Sequence, residues 1–300
     1  MRNICSVLFG VLLGSVLLHN CGKNPVSVDG DWVSDIPFML GDINLEIQHD
    51  NRIYETEHFL VYSDAASDKV RLQFAAHAER ALDELMDAFQ IPDAAAIGIV
   101  DQTSKLMIFT NTALTRGQSA FPTGFILYGE DSEVFANWPH EMRSRFYHEI
   151  KHETMHVLQY KMGVGVPPNS RNPANLPDKW FNEGLAEYLG GGFMEPITNR
   201  VEFEQWRRPS DHINPVSIHK WSDLPINMSI AGEYYPAFAL AVRYLLDADS
   251  MGKTLMDVKD MFALLAEGNT TFADAFDLHM GISIGEYEAT FISRVAEYLD

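Results

Sequence analysis

The stretch from His148 to His156 reads H-E-I-K-H-E-T-M-H, and it contains the motif H-E-x-x-H twice in overlapping registers. Residues four apart on a helix lie on the same face, one turn from each other. Either register can therefore aim two imidazoles at one metal ion and hold a carboxylate beside it. The first register pairs His148 with His152, and the second pairs His152 with His156.

The residues inside and after each motif favour the second register. In the first, Lys151 lies inside the motif and Glu153 follows it, which places charge around a helix that must pack against a core. In the second, the inner residues are threonine and methionine, and valine and leucine follow, as suits a buried helix. We therefore predict His152 and His156 as metal ligands. A fourth ligand at His148 would close the site, so we expect His148 at the rim, hydrogen-bonded or facing solvent.

A second stretch with helical character, W-F-N-E-G-L-A-E-Y-L from Trp180, supplies the candidate third ligand. Its acidic residues Glu183 and Glu187 are four apart and share one helix face. Glu183 can complete the three protein ligands of a catalytic zinc site, which leaves one position open for water. Glu187 can accept the N–H of a ligating imidazole and so orient it. A solvated acidic face is the alternative, but the neighbouring aromatic and aliphatic residues favour a helix packed inside.

These two stretches, H-E-T-M-H-V-L-Q from His152 and W-F-N-E-G-L-A-E-Y from Trp180, resemble the gluzincin zinc peptidases, and among them the peptidase MA-like group. The resemblance extends more loosely over residues 56–300. It implies a zincin-like arrangement, with the active-site cleft between two subdomains, and a peptide or protein as the substrate.

Each acidic or histidine residue of the two motifs takes a role from this resemblance. One Zn²⁺ ion would be bound by His152, His156 and Glu183. Glu153 would be the general base that takes a proton from the metal-activated water, and Glu187 would accept the N–H of a ligating imidazole and so orient its ring.

The oxyanion of a tetrahedral intermediate needs a second donor besides the metal. Tyr235 is the candidate for this catalytic role, with Tyr234 as the runner-up, although a tyrosine packed at the start of a helix explains the residue equally well. Residues 124–128 could form a sheet edge along which an extended peptide adds as a further strand. They could equally form an interior strand, and the sequence leaves both open.

Hydrophobic patterns predict an α+β fold, with a small N-terminal α/β layer packed on a mainly α-helical C-terminal subdomain. Strands are predicted at 58–63, 105–110 and 124–128. Helices are predicted at 68–89, 140–162, 180–189, 232–247, 253–267 and 284–299. The domain organisation is then a signal segment at 1–20, a tether or strap at 21–54, an α/β subdomain at 55–135 and a zinc-binding helical subdomain at 136–300.

The N-terminus predicts export. An apolar run at 4–18 follows Arg2 and is too short for a membrane-spanning helix. Cys21 lies just after it and resembles the lipid-modified cysteine of bacterial lipoproteins, so we expect a periplasmic or cell-surface protein attached to the membrane through a lipid on Cys21. A plain secretory signal cut nearby is the alternative. The other cysteine, Cys5, lies within the run, so any metal site must be built from His, Asp and Glu.

Composition and the complete set of motif residues limit the number of function classes that the sequence supports. A formal net charge of -20 repels phosphate backbones and argues against nucleic-acid binding. We expect a zinc-dependent metallopeptidase that acts on peptides or proteins. The alternative is an exported zinc-binding lipoprotein with a binding or assembly role and no peptidase activity. A zinc hydrolase that acts on a non-peptide amide is a third, smaller possibility.

Overall fold

The computed structural model describes residues 46–48, 53–63, 68–101, 103–111, 118–128, 140–165, 174–190, 197–206 and 228–300. The predicted signal segment, Cys21 and residues 166–173 of the loop between the two motifs lie outside the described residues. The predictions of export and lipid attachment therefore stay predictions. Within the described part of the chain, no helix is both long enough and apolar enough to cross a membrane.

Six strands form one mixed sheet. They are β1 (Glu46–Gln48), β2 (Ile53–Glu55), β3 (Phe59–Ser63), β4 (Leu106–Asn111), β5 (Gln118–Phe121) and β6 (Gly124–Tyr128). Their order across the sheet is β1-β2-β3-β4-β6-β5. The central strands β3, β4 and β6 are parallel, with Val61 opposite Ile108 and Ile108 opposite Phe125. The outer strands pair antiparallel: β1 with β2, β2 with β3, and β5 with β6.

The three predicted strands are confirmed as β3, β4 and β6. The interpretation of residues 21–54 as a tether or strap needs correction at 46–48 and 53–54, because β1 and β2 extend the sheet there. Strand β6 lies between β4 and β5, so the interior alternative for residues 124–128 is right and β5 is the edge strand. Strands of three or four residues show too little alternation to be recognised from sequence.

Helix α1 (Asp68–Ala88) connects β3 to the parallel strand β4, as a parallel pair requires. Its residues Phe74, Leu82 and Leu85 are each at most 2% exposed. They belong to the same hydrophobic cluster as Val61 and Ile108 of the sheet. The helix predicted at 68–89 is therefore confirmed, and it buries its apolar face on the sheet.

The second half of the described chain is helical. Its helices are α2 (His140–Lys161), α3 (Lys179–Gly190), α4 (Arg200–Trp206), α5 (Met228–Leu246), α6 (Leu255–Ala266), α7 (Phe272–Met280) and α8 (Ile284–Tyr298). All five helices predicted in this half are confirmed to within a few residues. Helices α4 and α7 are missing from the sequence prediction, because segments of 7 and 9 residues carry little helical periodicity.

One hydrophobic core joins the sheet to the helices, and this confirms the α+β fold at a coarse level. Val61 of β3 and Trp180 of α3 belong to the same cluster of buried residues. Trp180 stacks on Tyr287 of α8, with ring centroids 5.8 Å apart. Helix α3 makes its most extensive contacts with α5 and also packs against α2. The helix with the predicted third ligand is thus buried beside the helix with the histidines.

Candidate metal centre

Helix α2 places His152 and His156 one turn apart on a buried face. His152 is 5% and His156 is 9% exposed, and the inner residues Thr154 and Met155 are fully buried. The Nε2 atoms of the two imidazoles lie 3.1 Å apart. The inner residues of the second register thus pack into the core, as their uncharged side chains predict.

Helix α3 brings Glu183 to these two imidazoles. Its Oε2 lies 3.1 Å from Nε2 of His156 and 3.6 Å from Nε2 of His152. In a tetrahedral site with zinc–ligand bonds of about 2.0–2.1 Å, the donor atoms lie about 3.3 Å apart, so the three atoms have a suitable spacing. Two imidazole nitrogens and one carboxylate oxygen are also a donor set that zinc accepts. These three residues can hold a metal ion.

Close packing between helices sets the position of Glu183. A Cβ atom at Gly184 would lie 2.5 Å from the carbonyl oxygen of Phe238 on α5, which is closer than Cβ atoms approach. A Cβ atom at Gly190 would lie 3.1 Å from the backbone nitrogen of His152. Glycine at these two positions lets α3 approach α5 and α2 closely. The acidic face of α3 thereby reaches the histidines.

The Nδ1 atoms of both imidazoles face polar side chains. Nδ1 of His152 lies 3.1 Å from Oε2 of Glu187, an ion-pair distance, and the predicted hydrogen bond from this imidazole to Glu187 stays a prediction. Nδ1 of His156 lies 2.7 Å from Oε1 of Gln159, whose Nε2–H donates to the carbonyl oxygen of Asn182 at 3.0 Å. Gln159 and Asn182 are missing from the sequence prediction. The three-residue spacing of Gln159 from His156, which brings side chains together on a helix, is the signal that could have found Gln159.

Glu153 follows His152 on α2 and is 4% exposed. Its Oε2 atom has no hydrogen-bond partner among the described residues. Burial raises the pKa of its carboxyl group, and the neighbouring His152 and His156 partly offset this rise. A buried carboxylate oxygen without a partner is costly.

The neighbouring carboxylates favour positive charge on the two imidazoles. Burial lowers the pKa of His152, but the carboxylates of Glu183 and Glu187 outweigh burial and raise it to about 10. Burial raises the pKa of Glu183, but His156 and His152 outweigh it and hold this pKa well below its ordinary value. Positive charge, carried by a proton or a metal ion, is what allows these acceptor atoms to converge in the interior.

Tyr235 lies beside the three candidate metal ligands, whereas Tyr234 packs in the core. The ring of Tyr235 lies 5.9 Å from that of His152, at an interplanar angle of 88°. The charge of Glu183, followed by burial, raises the pKa of Tyr235 well above its ordinary value. Tyr234 is 3% exposed and belongs to the hydrophobic cluster. Tyr160, which the sequence analysis does not single out, has its pKa raised to about 12 by burial and by the nearby carboxylates.

His148 is half-buried and hydrogen-bonded, in line with its prediction. Its Nδ1–H donates to the carbonyl oxygen of Gly190, the last residue of α3, at 2.6 Å. Lys151, the charged residue inside the first register, reaches α1, where its Nζ lies 2.7 Å from Oε2 of Glu84. The first register thus serves contacts of α2 with α3 and α1, and it contributes His152 alone to the ligand group.

Replacing His148 with Ala is expected to leave zinc bound, because its imidazole is engaged with Gly190 and not with the ligand group. Loss of the hydrogen bond should lower the free energy of unfolding by about 1 kcal/mol. Zinc content after dialysis, compared with that of His156→Ala, measures the effect. An empty site in the His148 variant would assign the ligands to the first register instead.

Comparison with known proteins does not assign the chain to a family. No protein-family model matches the chain, and no curated protein matches it in sequence. The interpretation of the site therefore depends on its own geometry and donor chemistry.

Proposed function

We propose that this protein is a zinc-dependent metallopeptidase that hydrolyses peptide bonds. The observation that carries the proposal is the convergence of His152, His156 and Glu183, with the buried carboxylate of Glu153 on the same helix. Two histidines and one glutamate are the ligand set of thermolysin-type catalytic zinc sites, which keep one position open. A structural site would close the fourth position with a protein ligand, whereas the group in the described residues has three members.

Zinc suits this donor set, because imidazole and carboxylate groups are its common ligands and the chain has no cysteine beyond Cys21. When bound, zinc lowers the pKa of a water ligand towards about 7 and polarises a substrate carbonyl group. His152 and His156 would bind the ion through Nε2. Nδ1 of His156 is hydrogen-bonded to Gln159, and Nδ1 of His152 lies 3.1 Å from Oε2 of Glu187, so Nε2 is the nitrogen of each ring that faces the other ligands.

Glu153 is the proposed general base and, later in the reaction, the general acid. It accepts a proton from the attacking water and delivers this proton to the nitrogen of the leaving amine. Its buried Oε2 atom has no hydrogen-bond partner in the described part of the chain, and this oxygen is the proposed proton acceptor. Positioned proton transfer of this kind contributes about 10²–10⁴-fold to the rate.

Tyr235 is the proposed hydrogen-bond donor to the carbonyl oxygen of the substrate. Its ring approaches His152 edge-on, which places the residue beside the ligand group. The charge of Glu183 and burial raise its pKa and keep the hydroxyl group protonated, as a donor must be. A fixed donor stabilises the negative charge that develops on the substrate oxygen.

An extended peptide is proposed to bind along strand β5. Within the described sheet, β5 is an edge strand that pairs with β6 alone. It also contacts α2, the helix that carries the histidines. The open side of an edge strand can pair with an added strand through main-chain hydrogen bonds, and this would hold the substrate backbone near α2.

A digest of a mixed-peptide library, with and without a chelator, tests the proposed function. Hydrolysis that the chelator stops and that added zinc restores is the expected result. Bound zinc without any hydrolysis would support the alternative of an exported zinc-binding protein with a binding or assembly role. Hydrolysis that continues in the presence of the chelator would contradict a metal-dependent reaction.

A further inference from the structure

We propose that Gln159 is a positioning residue that determines which nitrogen of His156 carries the proton. Gln159 is fully buried, and it lies between the imidazole of His156 on its own helix and the backbone of Asn182 on α3. The inference rests on the metal centre of the proposed function, but not on peptide hydrolysis.

The backbone carbonyl of Asn182 determines the orientation of the Gln159 amide. A carbonyl oxygen can only accept a hydrogen bond, so the end of the amide that faces it must be the NH₂ group. The distance from Nε2 of Gln159 to this oxygen is 3.0 Å. The amide oxygen Oε1 is then directed at Nδ1 of His156, at 2.7 Å. The reversed amide would place two oxygen atoms against each other.

The orientation of the amide in turn determines the tautomer of His156. Because Oε1 of Gln159 can only accept, Nδ1 must carry a hydrogen and donate it. In a neutral imidazole, a proton on Nδ1 leaves the lone pair on Nε2. This Nε2 atom lies 3.1 Å both from Nε2 of His152 and from Oε2 of Glu183. The lone pair is therefore directed towards the other two candidate ligands, as metal binding requires.

The side chain of Asn182 makes a competing contact. Its Nδ2 atom lies 3.5 Å from Nδ1 of His156, and a donor at that place would favour the opposite tautomer. Protein N–H···O hydrogen bonds usually span about 2.7–3.2 Å, so the 2.7 Å contact with Gln159 prevails over the 3.5 Å contact with Asn182. Gln159 also ties α2 to the residue that immediately precedes Glu183, which couples the two helices that carry the ligands.

The two histidines differ in the group that orients them. His152 faces the carboxylate of Glu187, whereas His156 faces a neutral amide. A carboxylate partner raises the basicity of the imidazole, while an amide orients the ring without a further negative charge. Glu153, Glu183 and Glu187 already bring three acidic groups to this interior region. A neutral partner for His156 therefore avoids the cost of a fourth buried charge.

Zinc affinity of Gln159→Met tests the inference, because methionine keeps the length of the side chain and removes both polar contacts. We expect the affinity to fall about 10–100-fold, as is typical when the residue behind a metal ligand is lost. Competition with a chromophoric chelator measures it without any substrate. Thr154→Val is the matched control: Thr154 is fully buried on the same helix and donates to the carbonyl oxygen of Ile150 at 2.7 Å. Thr154→Val removes this hydrogen bond and should leave zinc affinity unchanged.

Nitrogen NMR of the histidine rings separates orientation from packing. In the zinc-loaded parent, we expect the ¹⁵N shifts of His156 to show a protonated Nδ1 and a metal-bound Nε2. Gln159→Glu keeps the acceptor for Nδ1–H and loses the donor to the carbonyl oxygen of Asn182, so it should retain the protonated Nδ1.

Three results would be decisive. Zinc affinity in Gln159→Met within twofold of the parent, in a folded protein, would overturn the inference alone. A parent protein that binds no zinc would overturn it together with the proposed function. A parent that binds zinc, shows the expected loss in Gln159→Met and cleaves no peptide would support the inference and overturn the peptidase assignment.

Discussion

Replacing Glu153 with Gln is expected to abolish peptide hydrolysis and to leave zinc bound. The amide has nearly the shape of the carboxylate, but it cannot take up the proton of a water molecule. The loss therefore falls on proton transfer and not on the three ligands. General acid–base catalysis contributes about 10²–10⁴-fold, so we expect kcat/KM to fall by roughly that factor. The measurement is kcat/KM on a peptide found in the digest, together with zinc content.

Glu149→Gln is the matched control for this experiment. Glu149 occupies in the first register the place that Glu153 has in the second, and it lies one turn earlier on α2. Its replacement should leave kcat/KM unchanged within a few-fold. Activity that survives in Glu153→Gln and disappears in Glu149→Gln would assign the general base to the first register.

Replacing Glu183 with Ala is expected to release zinc, because it removes one of the three candidate ligands and leaves two imidazoles. Loss of a supporting residue costs about 10–100-fold in metal affinity, and loss of a direct ligand should exceed the upper end of that range. Zinc content after dialysis is the first measurement. The second is the rise in melting temperature on adding zinc, because a ligand that binds the folded state stabilises it. This rise should be present in the parent and absent in Glu183→Ala.

Glu187→Gln is the control for the Glu183 variant, since both residues lie on α3 and Glu187 faces Nδ1 of His152. The amide retains an acceptor oxygen but loses the charge, so zinc affinity should fall without disappearing, by at most about 10–100-fold. Circular dichroism must show both variants to be folded, because α3 packs in the core. A folded Glu183→Ala protein that keeps its zinc and its thermal shift would contradict the ligand assignment.

Elements with a regular local pattern were predictable from the sequence. The helices α1, α2 and α3 and the strands β3, β4 and β6 agree with their predictions to within a few residues. Each of these elements buries one face. When that face spans several turns or residues, hydrophobic residues recur along the sequence with the period of the helix or strand. Five elements are too short to show a clear hydrophobic period: the strands β1, β2 and β5 and the helices α4 and α7. Their structure depends on pairing or packing with distant parts of the chain.

The sequence by itself determined which chemical groups share a helix face. His152 and His156 on α2, and Glu183 and Glu187 on α3, are each four residues apart, and the helical period then places each pair on one side. Such placement is local, so the candidate ligands could be named without a structure.

Only the tertiary structure decided how these faces meet. The contact of Glu183 with the imidazoles depends on the close approach of α3 to α2 and α5, where a side chain at Gly184 would clash with α5 and one at Gly190 would crowd the backbone of His152. The bridge from His156 through Gln159 to the backbone of α3 exists for the same reason. Distances between helices are set by packing among residues far apart in the chain. The hydrophobic periodicity of a single helix therefore does not predict them.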